Sequence, residues 1–265
     1  MQLPDWWKSD KPYIIGNCLE HFKDIPDNSV DMILCDLPYG MTNCSWDSII
    51  PLDKLWAEYE RIIKENGAIV LTASQPFTSI LVCSNPKLYR HSWIYQKRCA
   101  SNFAQAKYSP MKEHEDVLVF AKNKPNYYPI MEQRRGSGSD RVKYKFGVAS
   151  RHKSGEFIGQ LNGEVGDTAD ELRYPSSVQE FNNRAKGDRG SHPTQKPVAL
   201  FEYLIKTYTK EGEIVLDNCL GSGTTLVACK NTGRVGIGFE IEEKYEPKIQ
   251  ERINQEQTTL DVGGN

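Results

Sequence analysis

Ile214-Val215-Leu216-Asp217-Asn218-Cys219-Leu220-Gly221-Ser222-Gly223-Thr224-Thr225 runs from apolar residues through an acidic one into a glycine turn and the start of a helical pattern. A strand buried on both faces reads as such an unbroken apolar run, and open α/β sheets bind ligands where their strands end. Val30-Asp31-Met32-Ile33-Leu34-Cys35 leads in the same way into Asp36-Leu37-Pro38-Tyr39-Gly40. Together the segments predict an α/β chain with functional groups at the carboxyl ends of two strands.

The pattern around them alternates strands with amphipathic helices. Strands are predicted at Tyr13–Ile15, Val30–Cys35, Ala68–Thr72, Ser92–Gln96 and Asp116–Phe120, then at Glu213–Leu216 and Val235–Phe239. Leu52–Lys64 reads as a helix, with Leu52, Leu55, Trp56, Tyr59, Ile62 and Ile63 on one face and Asn66-Gly67 as its stop. Further helices are expected over Pro197–Tyr208, Thr224–Asn231 and Glu242–Gln255, with a fraying tail from Thr258 to Asn265. Periodicity disappears over residues 123–191, too long for an ordinary connection. The expected division is a catalytic half (1–122), an insertion (123–191) and a second half of the core (192–265).

The formal net charge of −2 gives no global reason to expect a polyanion partner. The insertion differs locally. Arg134, Arg135, Arg141, Lys143, Lys145, Arg151 and Lys153 face only Glu132 and Asp140 between Met131 and Gly155, a balance of +5. Such a patch is a footprint for phosphates. The seven cysteines include no C-x-x-C pair, so the expectation is buried thiols in a reducing compartment and no metal site. No segment resembles a secretory signal or a membrane span, and the chain reads as a soluble cytoplasmic protein with no membrane partner.

The glycine turn narrows the ligand. A dinucleotide fingerprint needs a third glycine where Leu226 stands, and a P-loop needs a Gly-Lys-Ser/Thr that is absent. Glu240 closes the next strand 23 residues after Asp217, near where nucleotide folds place the carboxylate for ribose hydroxyls.

Asp36-Leu37-Pro38-Tyr39 and Asp217–Thr225 resemble the catalytic and cofactor motifs of the DNA amino-methyltransferases, the N6-adenine/N4-cytosine family, in its permuted beta-type order with the catalytic motif first. Two more segments share the resemblance. His192-Pro193-Thr194-Gln195-Lys196-Pro197 is similar to the family's H-P-x-x-K-P element, and Gly16-Asn17-Cys18-Leu19 to its G-D-C-L element. The resemblance implies a doubly wound, Rossmann-like methyltransferase fold with a mostly parallel, seven-stranded sheet and an inserted target-recognition region. It implies S-adenosyl-L-methionine as cofactor, held by Asn17, Cys18, Asp36, Thr194, Lys196, Asp217, Asn218, Cys219, Gly221, Ser222, Gly223, Thr224, Thr225 and Glu240. Thr194 and Lys196 are expected at the methionine carboxylate and Asn17 at the adenine. Asn218 and Cys219 replace the usual Pro and Phe, and Leu37 replaces a Pro.

The catalytic assignments follow the chemistry. The lone pair of an adenine amine is delocalised into the ring, so acceptors on its hydrogens are needed to localise it. Asp36 supplies a carboxylate, Leu37 a backbone carbonyl and Pro38 a stiff turn, and Tyr39 offers a face on which an extruded base stacks. In the family an Asp at the first position accompanies adenine and a Ser accompanies cytosine. His114-Glu115 resembles a family element near the base pocket; Trp46 and Asp47 are expected on the DNA face, and Ser101–Ala104 over the flipped base. The expected reaction is site-specific methylation of adenine N6 in double-stranded DNA, in a bacterial or phage protein. Homodimerisation and a cognate restriction endonuclease are further expectations. The competing readings are cytosine N4 methylation, an RNA or protein-amide substrate, and a DNA-binding relative without catalysis.

Overall fold

Met32, Leu34 and Asp36 point to one face of a strand and Ile33 and Cys35 to the other, and each set meets its own apolar layer. The computed structural model describes residues 4–40, 48–133, 172–183 and 195–255. Trp46, Asp47, Thr194 and the seven basic residues of the insertion lie outside the described residues.

The strands are β1 (Tyr13–Ile15), β2 (Val30–Asp36), β3 (Ile63–Ala73), β4 (Tyr89–Ser101), β5 (Lys112–Phe120), β6 (Glu132–Gln133), β7 (Leu172–Arg173), β8 (Val178–Phe181), β9 (Ile214–Asp217) and β10 (Val235–Glu240). The α-helices are α1 (Cys18–His21), α2 (Leu52–Ile62), α3 (Phe77–Ser84), α4 (Val198–Tyr208), α5 (Thr224–Thr232) and α6 (Glu246–Asn254). Eight strands form one sheet in the order β1-β10-β9-β2-β3-β5-β4-β8. Only the β3–β5 and β5–β4 pairings are antiparallel. Ile33, Ile69, Leu71 and Leu216 pack beneath α2 and α3 with Phe22, Tyr59 and Phe77. Met32, Leu34, Val70 and Val215 pack beneath α4 and α5 with Leu200, Phe201, Leu204 and Ala228. Asp31, buried at the head of β2, accepts from Ile214 N at 3.0 Å and pairs with Lys64 at 2.7 Å, tying the first half of the core to β9.

The described residues depart from several expectations. The sheet has eight strands rather than seven, because Val178–Phe181 pairs parallel with Ile94–Lys97 on β4. That strand lies within the stretch assigned to the insertion, and its four residues alternate too briefly to register as a period. The chain divides into one unit of 1–128 and 177–265 and a second of 129–176. In the second unit β6 and β7 form an antiparallel ribbon, closed by an Arg173–Glu132 ion pair at 3.0 Å. The helix expected to run to Lys64 ends at Ile62, and Ile63 already pairs with Val30. Gly67 is therefore no helix stop: a Cβ there would lie 2.8 Å from Asp31 O. Helix α3 was not expected, since Phe77-Thr78-Ser79-Ile80-Leu81-Val82 is apolar without a helical stripe. The last helix begins at Glu246 after a 3-10 turn, with Pro247 in its first turn, where a missing N–H costs no helical bond.

Candidate active site

Strands β2, β9 and β10 run parallel, so Asp36, Asp217 and Glu240 leave the sheet at the same edge. The glycine turn follows Asp217. Gly221 and Gly223 take φ of +53° and +79°, where a side chain strains the backbone, and Gly223 caps α5. Beneath the turn, a Cβ on Gly238 would lie 2.3 Å from Asp217 O. Glycine there lets β10 approach.

Asp217, only 2% exposed, accepts from Cys219 N at 2.9 Å and from the Thr225 hydroxyl. Burial pushes its carboxyl up to about 6 against those hydrogen bonds. Glu240, 5% exposed, accepts from Gly221 N at 2.6 Å and Glu242 N at 2.8 Å, and burial pushes it up to about 7. A carboxylate with two such partners retains acceptor capacity for hydroxyl groups. Behind the turn, buried Arg252 of α6 donates to Ser222 O at 2.9 Å, Ser222 Oγ at 2.7 Å and Thr224 Oγ1 at 3.1 Å. The Ser222 hydroxyl in turn donates to Gln195 Oε1 at 2.9 Å.

A cavity of about 200 Å³ opens above this edge. Its wall includes Asp36, Leu37, Pro38 and Tyr39, and also Asn17, Cys18, Lys196, Asp217, Cys219, Gly221, Ser222, Thr224 and Glu240. Of the described residues expected at the cofactor, three are absent from that wall. Thr225 is spent on Asp217 and Gly223 on the cap. Asn218 accepts from the buried Tyr59 hydroxyl and donates towards Cys18 Sγ at 3.7 Å and Cys219 Sγ at 3.4 Å. It fills the space below the turn where the family has a proline. Asn17 caps α1, its Oδ1 accepting from Leu19 N at 3.1 Å.

The catalytic segment is closely braced. Asp36 Oδ1 accepts from the Tyr39 hydroxyl at 2.8 Å and from the Thr72 hydroxyl. Its Oδ2 accepts from Lys196 Nζ at 2.6 Å. Among the described residues those three donors fill all but one of a carboxylate's roughly four acceptor directions. Phe77, buried, supports the Tyr39 ring at a centroid distance of 5.2 Å and 24°. Burial and the neighbouring Asp36 push the Tyr39 phenol well above its ordinary value, so it stays a donor.

Lys196 also has partners within the protein. Its ammonium, 7% exposed, lies between Asp36 and Glu115 (Oε2, 3.2 Å). The topology explains this. Asp36 is opposite Thr72 and Thr72 opposite Val117, so this row lies on the α4 face, and Lys196 precedes α4 by two residues. Glu115, two residues from Val117, shares the face. Burial pulls the Lys196 ammonium down, but Asp36, Tyr39 and Glu115 outweigh it and hold it well above the lysine value. Thr72, Arg252 and Phe77 carry no sequence signal, since their roles depend on what lies across the fold. His114 is exposed on β5, and His91 meets Tyr208 Oη at 2.8 Å in the core.

The DNA methylase profile, that of the N6/N4 methyltransferases, matches residues 30–251. This chain belongs to the DNA methylase family. The methylase is 30% identical over 256 residues to the DNA adenine methyltransferase YhdJ of Escherichia coli K12, covering 89% of this chain and 80% of that one. It is 28% identical over 261 residues to the Type II methyltransferase M.HpaI of Haemophilus parainfluenzae, covering 93% and 75%. Its fold is that of the M1.HpyAVI–SAM complex, with a TM-score of 0.62 at 22% identity over 92% of this chain and 98% of that one. The PvuII cytosine-N4-specific DNA methyltransferase matches with a TM-score of 0.65 at 13% identity over 93% and 86%. Among the described residues of the methylase no helix is long and apolar enough to cross a membrane.

Proposed function

We propose that this methylase transfers the methyl group of S-adenosyl-L-methionine to the N6 amine of adenine in double-stranded DNA, acting on a base turned out of the helix. The observation that carries this reading is Asp36, on the cavity wall with one acceptor direction open beside an aromatic ring, at the sheet edge shared by Asp217 and Glu240.

The wall suits such a cofactor. Three carboxylates, Asp36, Asp217 and Glu240, line the cavity, a poor surface for polyphosphates and a favourable one for a cationic, ribose-bearing ligand. Glu240 and Asp217 would take the ribose side, and the apolar Ile241 and Phe201 the remaining wall. When bound, S-adenosylmethionine supplies an electrophilic methyl on a positively charged sulfonium.

The chain's own residues prepare the nucleophile. The open direction on Asp36 accepts one hydrogen of the amine, and the Leu37 carbonyl the other, which returns the lone pair to nitrogen. The bound cofactor would supply the methyl carbon to that pair and would keep the C–S electrons on its sulfur. The displaced proton passes to Asp36 and on to water, so positioning and electrostatics carry the rate. Tyr39, supported by Phe77, stacks the base. The basic residues Arg134, Arg135, Arg141, Lys143, Lys145, Arg151 and Lys153 supply phosphate contacts and target recognition. Adenine is favoured because Asp36 is the acidic form of the motif.

Nucleoside digestion and mass analysis of DNA modified by the purified protein tests this reading. The expected product is 6-methyladenine; 4-methylcytosine alone overturns the choice of base, and no DNA product overturns the reaction.

A further inference from the structure

Lys196 is not the end of the buried charges. Glu115 stands between Lys196 (Oε2, 3.2 Å) and Lys97 (Oε1, 2.5 Å), with exposures of 7%, 14% and 12% for Lys196, Glu115 and Lys97. With Asp36 they make a line of alternating sign: Asp36, Lys196, Glu115, Lys97. Strand register builds it. Tyr95 is opposite Glu115, and Lys97, two residues on, shares that face of the sheet. Desolvating charges costs several kcal/mol each unless partners repay it, so such a line is not incidental to packing.

We propose that Glu115, itself held by Lys97, is a positioning residue for methyl transfer: it fixes the Lys196 ammonium against Asp36 Oδ2, and so sets which oxygen and which direction of Asp36 receive the target amine. The inference rests on the function proposed above. Glu115 touches neither the base nor the cofactor in this scheme and acts through Lys196. Asp36 from β2, Tyr39 after β2 and Glu115 from β5 surround the ammonium, and Lys97 from β4 pairs with Glu115. Burial pushes the Glu115 carboxyl up, but Lys196 and Lys97 outweigh it and hold it below its ordinary value. Glu115 therefore stays charged across the physiological range. With Glu115 neutral, Lys196 keeps its burial but loses one of the charges that offset it.

The test measures transfer of a labelled methyl group to unmethylated bacterial DNA against pH, with S-adenosylhomocysteine affinity measured by calorimetry. Glu115→Gln is expected to lower kcat about tenfold. It is expected to leave the Kd for S-adenosylhomocysteine within about twofold and to move the alkaline fall in kcat to lower pH than in the wild type, because one of the charges that hold the Lys196 ammonium is gone. Glu115→Asp, which keeps the charge, is expected to retain the wild-type alkaline limb. Unchanged kcat in Glu115→Gln, or a loss with the pH profile unmoved, overturns the proposal, as does a loss confined to Kd. Should Glu115→Gln not fold, Lys97→Met is read instead: lower kcat at unchanged Kd supports the chain, and wild-type kcat overturns it. A wild type that methylates no DNA overturns the function itself, whereas an active wild type with an indifferent Glu115 overturns only this inference.

Discussion

Lys196 Nζ lies 2.6 Å from Asp36 Oδ2, although 160 residues separate the two in the chain. The contact joins the end of β2 to the segment that opens α4. It places a full positive charge beside the carboxylate proposed to accept the target amine's hydrogen, and among the described residues that carboxylate has one open direction.

Asp36→Asn keeps the shape and removes the charge. Methyl transfer is expected to fall by roughly 10²–10⁴, the range of a positioned proton acceptor. Calorimetric affinity for S-adenosylmethionine should stay within a few-fold, because Asp217 and Glu240 are untouched. A variant that retains near-normal kcat removes Asp36 from the mechanism.

Cofactor binding should tighten as pH rises. Burial pushes Asp217 up to about 6 and Glu240 up to about 7, and each accepts ribose hydroxyls best when ionised. The Kd for S-adenosylmethionine is therefore expected to fall between about pH 5.5 and 7.5, with Glu240→Gln weakening binding and flattening the upper part of the curve. The stability of the ligand-free protein is expected to show the opposite slope. Both folded values lie above those of an unfolded carboxyl, so the contribution of these groups to stability is present at low pH and declines as pH rises through the folded values. Thermal melts with and without ligand across this range check both signs.

Arg252→Met should loosen the cofactor turn from behind. The arginine makes three hydrogen bonds to Ser222 and Thr224 from a buried position, and their loss is expected to cost about 1.5–3 kcal/mol in urea unfolding. The Kd for S-adenosylhomocysteine should rise while kcat at saturating cofactor changes little. A Kd that does not move shows that α6 merely packs against the core.

Gly238→Ala adds a methyl where 2.3 Å separates its position from Asp217 O, with Leu220 2.7 Å away. Backbone cannot yield as a flexible side chain does, so a loss of about 1–3 kcal/mol or more is expected, seen as a Tm lowered by several degrees. An unchanged Tm contradicts the close approach of β10 to the turn.

Much of this architecture was legible as pattern. Val30–Cys35, apolar but for Asp31, and Ile214–Leu216 are apolar runs because central parallel strands are buried on both faces, and both are strands here. Asp36 and Glu240, at the strand ends, stand on the cavity wall. Short or one-sided elements were hidden. The four residues of β8 acquire their structure from β4, and α3 has apolar residues around its surface, so neither shows a period. Asn218 and Thr225 lie within the motif, yet they work beneath the turn and not on its wall.

The sequence by itself determined the α/β class, the paired acidic turns and the methylase motifs, because each depends on residues a few positions apart along one strand and turn. Only the tertiary structure decided that Lys196 serves Asp36, that Glu115 and Lys97 stand behind it, and that Arg252 braces the glycine turn. Those pairings join β2, β4, β5, α6 and the approach to α4, and they arise from strand order and register. An ion pair depends on distance in space, which spacing along the chain does not encode.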